Sequence, residues 1–427
     1  MSNSFQNNLT FAQQLDAQDE LKNFRNRFHL PVINGKETVY FTGNSLGLQP
    51  KATADYISSE LNDWAAWGVE GHFHGKIPWF KYHHSLTPKI AKIVGAKEHE
   101  VTVMNSLTVN LHLLMVSFYR PTKQRYKIIM EGAAFCSDHY AMQSQVEHHG
   151  FTADEAIVYL EPREGEHTLR IGDILKTIDD NANDLAMVML GGVNYYTGQL
   201  FNMEAITKKA HEVGAIAGFD LAHAVGNAIL NLHDWKVDFA TWCSYKYLNS
   251  SPGGVSGIYV NEKHAQNPDT PRFAGWWGYN EATRFEMKRP FDPTPTADGW
   301  QLSNVPILLM AAHNASLDIF EEVGMPKLRA KSDLLTAYLE FLIEDVNSKF
   351  DNSPLEIITP KNPKDRAAQI SILTDERGKS IFDALTEANV IVDWREPNVI
   401  RLAPVPLYNS FEDVYKFGAV LQAVLVG

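Results

Sequence analysis

Cysteine is nearly absent from this chain: Cys136 and Cys243 are the only two among 427 residues. Two thiols cannot build a disulfide scaffold, so a reducing compartment is expected. Positive charge is also scarce. Lys and Arg number 38 against 51 Asp and Glu, a formal net charge of −13. A surface of that sign favours solubility and disfavours a phosphate backbone, so no nucleic-acid partner is expected. No apolar run approaches the roughly 18 residues of a membrane helix. The best candidate, Val305–Ala312, is short and contains Pro306. Met1 to Glu20 is polar and shows no export signal. A cytoplasmic protein with no membrane partner is therefore expected. Internal repeats and low-complexity tracts are absent too.

What is present is an ordinary globular composition, 44% hydrophobic and 21% charged. Its length exceeds one domain of roughly 100–200 residues, so two lobes are expected. Tyr126–Met130, Ala156–Leu160, Ala186–Leu190, Ala215–Phe219 and Phe239–Trp242 read as short buried strands. A helix-like stretch lies between Leu200 and Gly214. Apolar strands separated by helices predict an α/β large domain with a mostly parallel central sheet flanked by helices. After Pro306 the pattern changes. Ile307–Phe320 and Lys327–Val346 read as long helices, and Glu356–Thr359, Ala368–Leu373 and Val390–Asp393 as strands. Ser410 opens a last helix with Val414, Phe417, Leu421 and Val424 on one face. This predicts a smaller α+β C-terminal domain. The expected division is an N-terminal segment over 1–50 packing on the small domain, a large domain over 51–312 and a small domain over 313–427.

Candidate chemistry starts at Gly218-Phe219-Asp220-Leu221-Ala222-His223. Asp220 sits at the carboxyl end of a predicted strand, where open α/β sheets bind ligands. A carboxylate there suits a cationic ring nitrogen, although capping of the next helix is an equally good account of Asp220 alone. Lys246, in Ser244-Tyr245-Lys246-Tyr247, follows the next predicted strand, and Ser251-Pro252-Gly253-Gly254 comes soon after. A lysine beside a cationic ring favours its amine form and suits Schiff-base chemistry. Most lysines are surface lysines; the neighbouring Asp and the glycine turn set this one apart. Together they point to pyridoxal 5′-phosphate held on Lys246. Asn105-Ser106-Leu107-Thr108 precedes the apolar run Leu111–Phe118, so Ser106 or Thr108 can cap a helix whose free N–H groups attract phosphate. Phe135 can stack on a planar ring, though a Phe is more often core.

The chain resembles the kynureninases, within the fold type I (aspartate-aminotransferase-like) pyridoxal-phosphate enzymes. The resemblance rests on Tyr40–Pro50, Asn105–Asn110, Ser137–Tyr140, Gly218–Asn227, Asp238–Asn249, Ser303-Asn304 and Asn398–Asn409, collinear along the chain. It implies that Lys246 is the cofactor lysine and proton shuttle, Asp220 the partner of the ring nitrogen, and Asp138 its support. Phe135, Cys136 and Ser137 would lie in the cofactor shell with His223. Leu107, Thr108, Tyr245, Trp276 and Asn304 would surround the phosphate end, Trp276 and Asn304 coming from the second subunit of a homodimer. Arg401 would take the substrate α-carboxylate. His72 and Asn304 would face the aromatic end of the substrate and favour a ring hydroxyl, and Tyr245 would serve as an acid or base. The implied activity is hydrolytic Cβ–Cγ cleavage of L-kynurenine or 3-hydroxy-L-kynurenine to anthranilate or 3-hydroxyanthranilate plus L-alanine, in tryptophan catabolism or NAD biosynthesis.

Two departures stand out. Cys136 replaces a proline common in the family, and Gly191 stands where animal relatives carry serine. Two other readings compete: another fold type I enzyme, such as a cysteine desulfurase or aminotransferase, or a non-catalytic cofactor-binding regulator. No metal is expected. His72 with His74 lacks a suitably spaced partner, and His83-His84 and His148-His149 read as surface pairs.

Overall fold

The computed structural model describes residues 5–350 and 353–426. Its main sheet has seven strands: β1 (Val101–Val103), β2 (Lys127–Glu131), β3 (Ile157–Leu160), β4 (Leu185–Gly191), β5 (Ile216–Asp220), β6 (Phe239–Trp242) and β7 (Gly257–Val260). Their order across the sheet is β1-β7-β6-β5-β4-β2-β3. β7 alone runs against its neighbours β1 and β6, and the pairs from β6 through β3 are parallel. The strands are apolar on both faces because helices cover both sides. Met187, Val188, Ala217, Phe219, Phe239 and Ala240 are all fully buried.

The five strands expected in the middle of the chain are present within a residue or two. β1 and β7 were not expected. They are three and four residues long, too short for a pattern to emerge from sequence.

The second layer of structure is the C-terminal lobe. Its sheet comprises β8 (Leu355–Ile357), β9 (Ile370–Thr374), β10 (Asp393–Arg395) and β11 (Val399–Leu402), ordered β8-β9-β11-β10 and antiparallel throughout. The helices Met325–Asn347 and Phe411–Val426 pack on it. The expected strand Val390–Asp393 is split. Val390–Ile391 pairs in parallel with Val39–Tyr40, and only Asp393 continues into the small sheet.

The early part of the chain is tied to this lobe. Ala12, Val39 and Phe41 share one apolar core with Leu335, Tyr338, Ile400 and Phe417. The Asp16 carboxylate accepts from the backbone N–H groups of Phe411 (2.8 Å) and Glu412 (2.9 Å), at the start of the last helix. A carboxylate there satisfies orphan donors and the positive end of the helix dipole. Asp19 pairs with the buried Lys331 at 2.7 Å.

The helix Ile307–Val323 is continuous, and its Met310, Leu317, Phe320 and Val323 belong to the core of the large lobe. The expected boundary at residue 313 therefore falls inside an element of the large lobe. The cores change between Leu328 and Leu335. No described helix is long and apolar enough to cross a membrane.

Candidate active site

Parallel pairing lines up the carboxyl ends of four adjacent strands. Glu131 ends β2, Gly191 ends β4 and Asp220 ends β5. Asp220 is level with Gly191 on one side and with Thr241 of β6 on the other. The chain leaving β6 reaches Lys246 a few residues later. A single pocket at this rim is lined by Leu107, Thr108, Phe135, Ser137, Asp138, Asp220, His223, Tyr245 and Lys246. Nine residues chosen from sequence therefore come together where open α/β sheets bind ligands.

The floor of the pocket is acidic. Asp220 is buried, and its Oδ1 accepts from the Ala222 N–H at 2.7 Å. Asp138 hydrogen-bonds the Asp220 carboxyl. Burial, and then the charge of Asp220, push Asp138 well above the usual carboxylate range. Burial raises Asp220 as well, against the Ala222 N–H and the charge of Lys246, which lower it. Two adjacent buried carboxyls raise each other's cost of ionisation. A third acid, Glu131, lies beside them, raised by burial while Gly191 N–H and Asn194 Nδ2 each donate to it at 2.7 Å.

Lys246 Nζ lies 2.9 Å from Nε2 of His223. Burial and the positive charge of Lys246 hold His223 well below its ordinary range, so it stays neutral and accepts that contact. The backbone around Lys246 is clamped from the early segment: Gly47 N–H donates to the Tyr245 carbonyl at 2.8 Å. A Cβ at Gly47 would lie 2.3 Å from the Lys246 carbonyl oxygen, so only glycine fits this approach. Burial raises the Tyr245 hydroxyl above its ordinary range, so it remains a donor.

The opposite end offers donors. The helix Leu107–Phe118 starts at the pocket with Ser106 as N-cap residue, but the Ser106 side chain makes no cap hydrogen bond. Thr108 Oγ1 and Ser137 Oγ lie 3.0 Å apart there. The first N–H groups of a helix have no internal acceptor and attract an anion. Phe135 stands at the edge of the pocket, 45% exposed, and meets the Tyr195 ring edge-on at 5.3 Å.

Five expected residues lie elsewhere in the chain. Cys136 is exposed as the first residue of the helix Cys136–His148 and does not line the pocket, because the helix begins there and turns it outward. Arg401 sits behind Tyr195, 1% exposed. Its Nη1 donates to the Tyr195 carbonyl at 2.6 Å, its Nη2 pairs with Asp393, and its Nε has no partner. Trp276, Asn304 and His72 belong to a different surface. His72 lines a separate groove with Phe73, Phe80 and Phe285. Trp276 packs against Phe285 at 5.8 Å. A Cβ at Gly275 would lie 2.3 Å from Leu302 Cα, so the segment carrying Trp276 runs against the one carrying Asn304.

Glu131, Gly191, Asn194, Tyr195 and Cys243 also line the pocket. Sequence reading did not place Glu131, Asn194, Tyr195 or Cys243 in the site. The available signal was position: Glu131 ends a strand adjacent to the central ones, and Asn194-Tyr195 lies in the turn just after β4. Asn194 builds that turn by accepting from the N–H groups of Tyr196 (3.0 Å) and Thr197 (2.9 Å). A Cβ at Gly191 would lie 2.9 Å from Glu131 Oε1, so a side chain here would reach the Glu131 carboxylate.

An acidic floor, a lysine above it and hydroxyl and N–H donors at the far end form a donor set that fits pyridoxal phosphate. The buried carboxyl pair, with only Lys246 as a nearby cation among the groups acting on it, matches a cationic ring nitrogen.

Comparison with known proteins decides the family. A kynureninase from Flavobacterium psychrophilum is 57% identical over 418 residues, covering 98% of both chains. The chain belongs to the kynureninase family. A kynureninase from Mus musculus is 47% identical, covering 97% of this chain and 92% of its own. A model of the kynureninase C-terminal domain matches residues 328–421. Among solved structures, the apo cysteine desulfurase from Thermococcus onnurineus superposes with a TM-score of 0.75 at 19% identity, over 91% of this chain and 95% of its own. That likeness shows the fold type I architecture. Of the two thiols, Cys243 is buried and its pKa is raised by burial, the opposite of an activated nucleophile.

Proposed function

We propose that this chain cleaves the Cβ–Cγ bond of L-kynurenine or 3-hydroxy-L-kynurenine by hydrolysis, giving anthranilate or 3-hydroxyanthranilate and L-alanine, with pyridoxal phosphate held on Lys246. The observation that carries the proposal is the amine of Lys246 standing in one pocket with the Asp220–Asp138 carboxyl pair, on a chain 57% identical to a kynureninase. When bound, the cofactor supplies a cationic ring that stabilises carbanion character at the substrate α carbon.

The residues divide the remaining work. Asp220 holds the proton on the ring nitrogen, and Asp138 keeps Asp220 in place. Thr108, Ser137 and the start of the helix Leu107–Phe118 hold the phosphate, with Leu107 and Tyr245 beside them. Phe135, at the pocket edge, would stack on the ring, and His223 holds Lys246. Lys246 takes the α proton and returns it. The Tyr245 hydroxyl is a proton donor near the reacting carbons. Arg401, which stands behind Tyr195 with its guanidinium fixed by Asp393, would receive the substrate α-carboxylate.

The active unit in this reading is a homodimer. His72, Trp276 and Asn304 lie away from Lys246 in their own chain and would complete the partner's pocket. The exposed Phe73, Phe285 and Met287 around the His72 groove support an interface there. His72 and Asn304 would then favour the 3-hydroxy substrate. We place the enzyme in the cytoplasm, in tryptophan catabolism or NAD biosynthesis, with small molecules as its substrates and neither nucleic acid nor membrane as partner.

The test is kcat/KM for both kynurenines in the wild type and in His72→Ala. A preference for the hydroxylated substrate, narrowed in the variant, is expected. Equal values in the wild type would remove the ring-hydroxyl role of His72. No turnover of either substrate by cofactor-loaded protein would overturn the proposed activity.

A further inference from the structure

Away from Lys246, two adjacent histidines meet two carboxylates that arrive from much later in the chain. His83 and His84 lie on the turn of 3-10 helix Trp79–Ser85. Glu281 follows the short helical turn Trp276–Gly278, and Asp298 lies in the turn Ala297–Trp300. The side-chain ligand atoms of His83, His84 and Glu281 all fall within 4.8 Å of one another. Nε2 of His84 is 3.3 Å from Asp298 Oδ2 and 3.4 Å from Glu281 Oε1. Nε2 of His83 is 3.7 Å and 3.9 Å from the same two oxygens.

Three features distinguish this cluster from an incidental ion pair. First, His83 is 1% exposed, its Nδ1 has no hydrogen-bond partner, and its Nε2 faces both carboxylates beyond hydrogen-bond distance. A buried imidazole in that state is costly unless something occupies the gap. Second, each carboxylate has one oxygen already engaged and the other turned to the imidazoles. Asp298 Oδ1 accepts from Gln301 Nε2 at 2.8 Å and from Thr102 Oγ1, and Glu281 Oε2 accepts from Lys81 Nζ at 2.6 Å. Hydrogen bonds on the outer oxygen are how metal-ligating carboxylates are oriented. Third, the spacing suits a tetrahedral ion. Nitrogen and oxygen ligands about 2.0–2.2 Å from zinc lie roughly 3.3–3.6 Å from each other. The His84–Glu281 distance matches this and the His83–Glu281 distance is longer by a few tenths of an ångström, a gap small side-chain rotations close.

We propose that His83, His84 and Glu281 form a binding site for one divalent transition-metal ion of the zinc class, with Asp298 beside them on His84. Two imidazole nitrogens and a carboxylate oxygen are a borderline donor set that such ions take in preference to calcium or magnesium, with a fourth position left for water. The ion ties the Trp79–Ser85 turn to the segment of Glu281, and so braces one wall of the groove that also holds His72 and Phe285. The cluster is not part of the Lys246 pocket of its own chain, but it shares the groove that carries His72, so metal binding rather than turnover is its readout.

The test uses untagged holoenzyme, stripped with a chelator and then titrated with cobalt(II). Visible bands of tetrahedral intensity are expected, saturating near about one ion per chain, with zinc displacing cobalt. The variants are His84→Ala and Glu281→Gln, both on partly exposed side chains whose loss leaves the fold intact. Asp298 is left in place because it also holds Thr102 and Gln301. Each variant should weaken cobalt binding at least about tenfold, while His148→Ala, in the other histidine pair, leaves it unchanged. Absence of the bands in wild type, or cobalt binding as tight in both cluster variants as in wild type, would overturn the site.

Discussion

Nε2 of His223 lies 2.9 Å from the amine of Lys246, and among the described residues no other side chain bonds that amine. A neutral imidazole therefore holds the lysine over the acidic floor without adding charge. Borohydride treatment of the cofactor-loaded protein should fix the label on Lys246, located by peptide mass spectrometry. Lys246→Ala should lose both the label and turnover. A label found on another lysine would end the assignment.

Gly47 controls the same lysine from behind. Its Cβ in Gly47→Ala would press on the Lys246 carbonyl and on Asn249 Oδ1, both 2.3 Å away. Backbone displacement should carry the amine out of line. We expect kcat/KM to fall at least about tenfold while the protein stays folded, since misplacement of about 1 Å can cost far more than that. Circular dichroism and steady-state kinetics check both halves.

Arg401 is fixed by the Tyr195 carbonyl and by Asp393. Lysine has one compact charge and no planar fork. Arg401→Lys should raise KM for the amino-acid substrate by about 10²-fold, with a smaller effect on kcat. An unchanged KM would place the carboxylate elsewhere.

His313 is wholly buried in the helix Ile307–Val323, and neither ring nitrogen has a partner. Burial, with the charge of Lys89, pulls its pKa down to about 3. The unfolded chain takes up this proton near pH 6.5 and the folded chain does not. Stability from this group is therefore complete above about pH 6.5 and is lost as pH falls towards about 3, by about 1.4 kcal/mol per pH unit. His313→Leu should flatten that acid limb in urea unfolding measured between pH 7 and 5. An unaltered slope would mean that His313 is not the group responsible.

Much of the pocket could be read from sequence because the chemistry lies at strand ends. Asp220 and Lys246 follow adjacent apolar runs, and parallel pairing brings such ends together. Phe135, Ser137 and Asp138 follow β2 in the same way, whereas Leu107 and Thr108 were legible as the start of a helix. Residues placed by tertiary packing were harder. Glu131 falls one residue past the Tyr126–Met130 run and Tyr195 beyond Ala186–Leu190, and no local pattern singles out either. His83 read as a surface residue. It is buried because Trp277 and Asp298, far along the chain, close over it. Cys136 was misplaced by one helical position: the backbone turns at Phe135, so neighbours in sequence face opposite ways. The small lobe was legible as an alternation of strands and helices, but the split of Val390–Asp393 between two sheets depends on a partner, Val39–Tyr40, that no local pattern reveals.

The early segment also has a consequence for biosynthesis. Asp16 caps a helix 395 positions away, and Val39–Tyr40 completes its pairing only with Val390–Ile391. On the ribosome these early residues emerge long before their partners exist. The large lobe can close on its own local βα units as they appear. The small lobe cannot, because its core joins Ala12, Val39 and Phe41 to residues as late as Phe417. Its final assembly therefore waits until the helix Phe411–Val426 has been made, hundreds of residues after the early segment emerges.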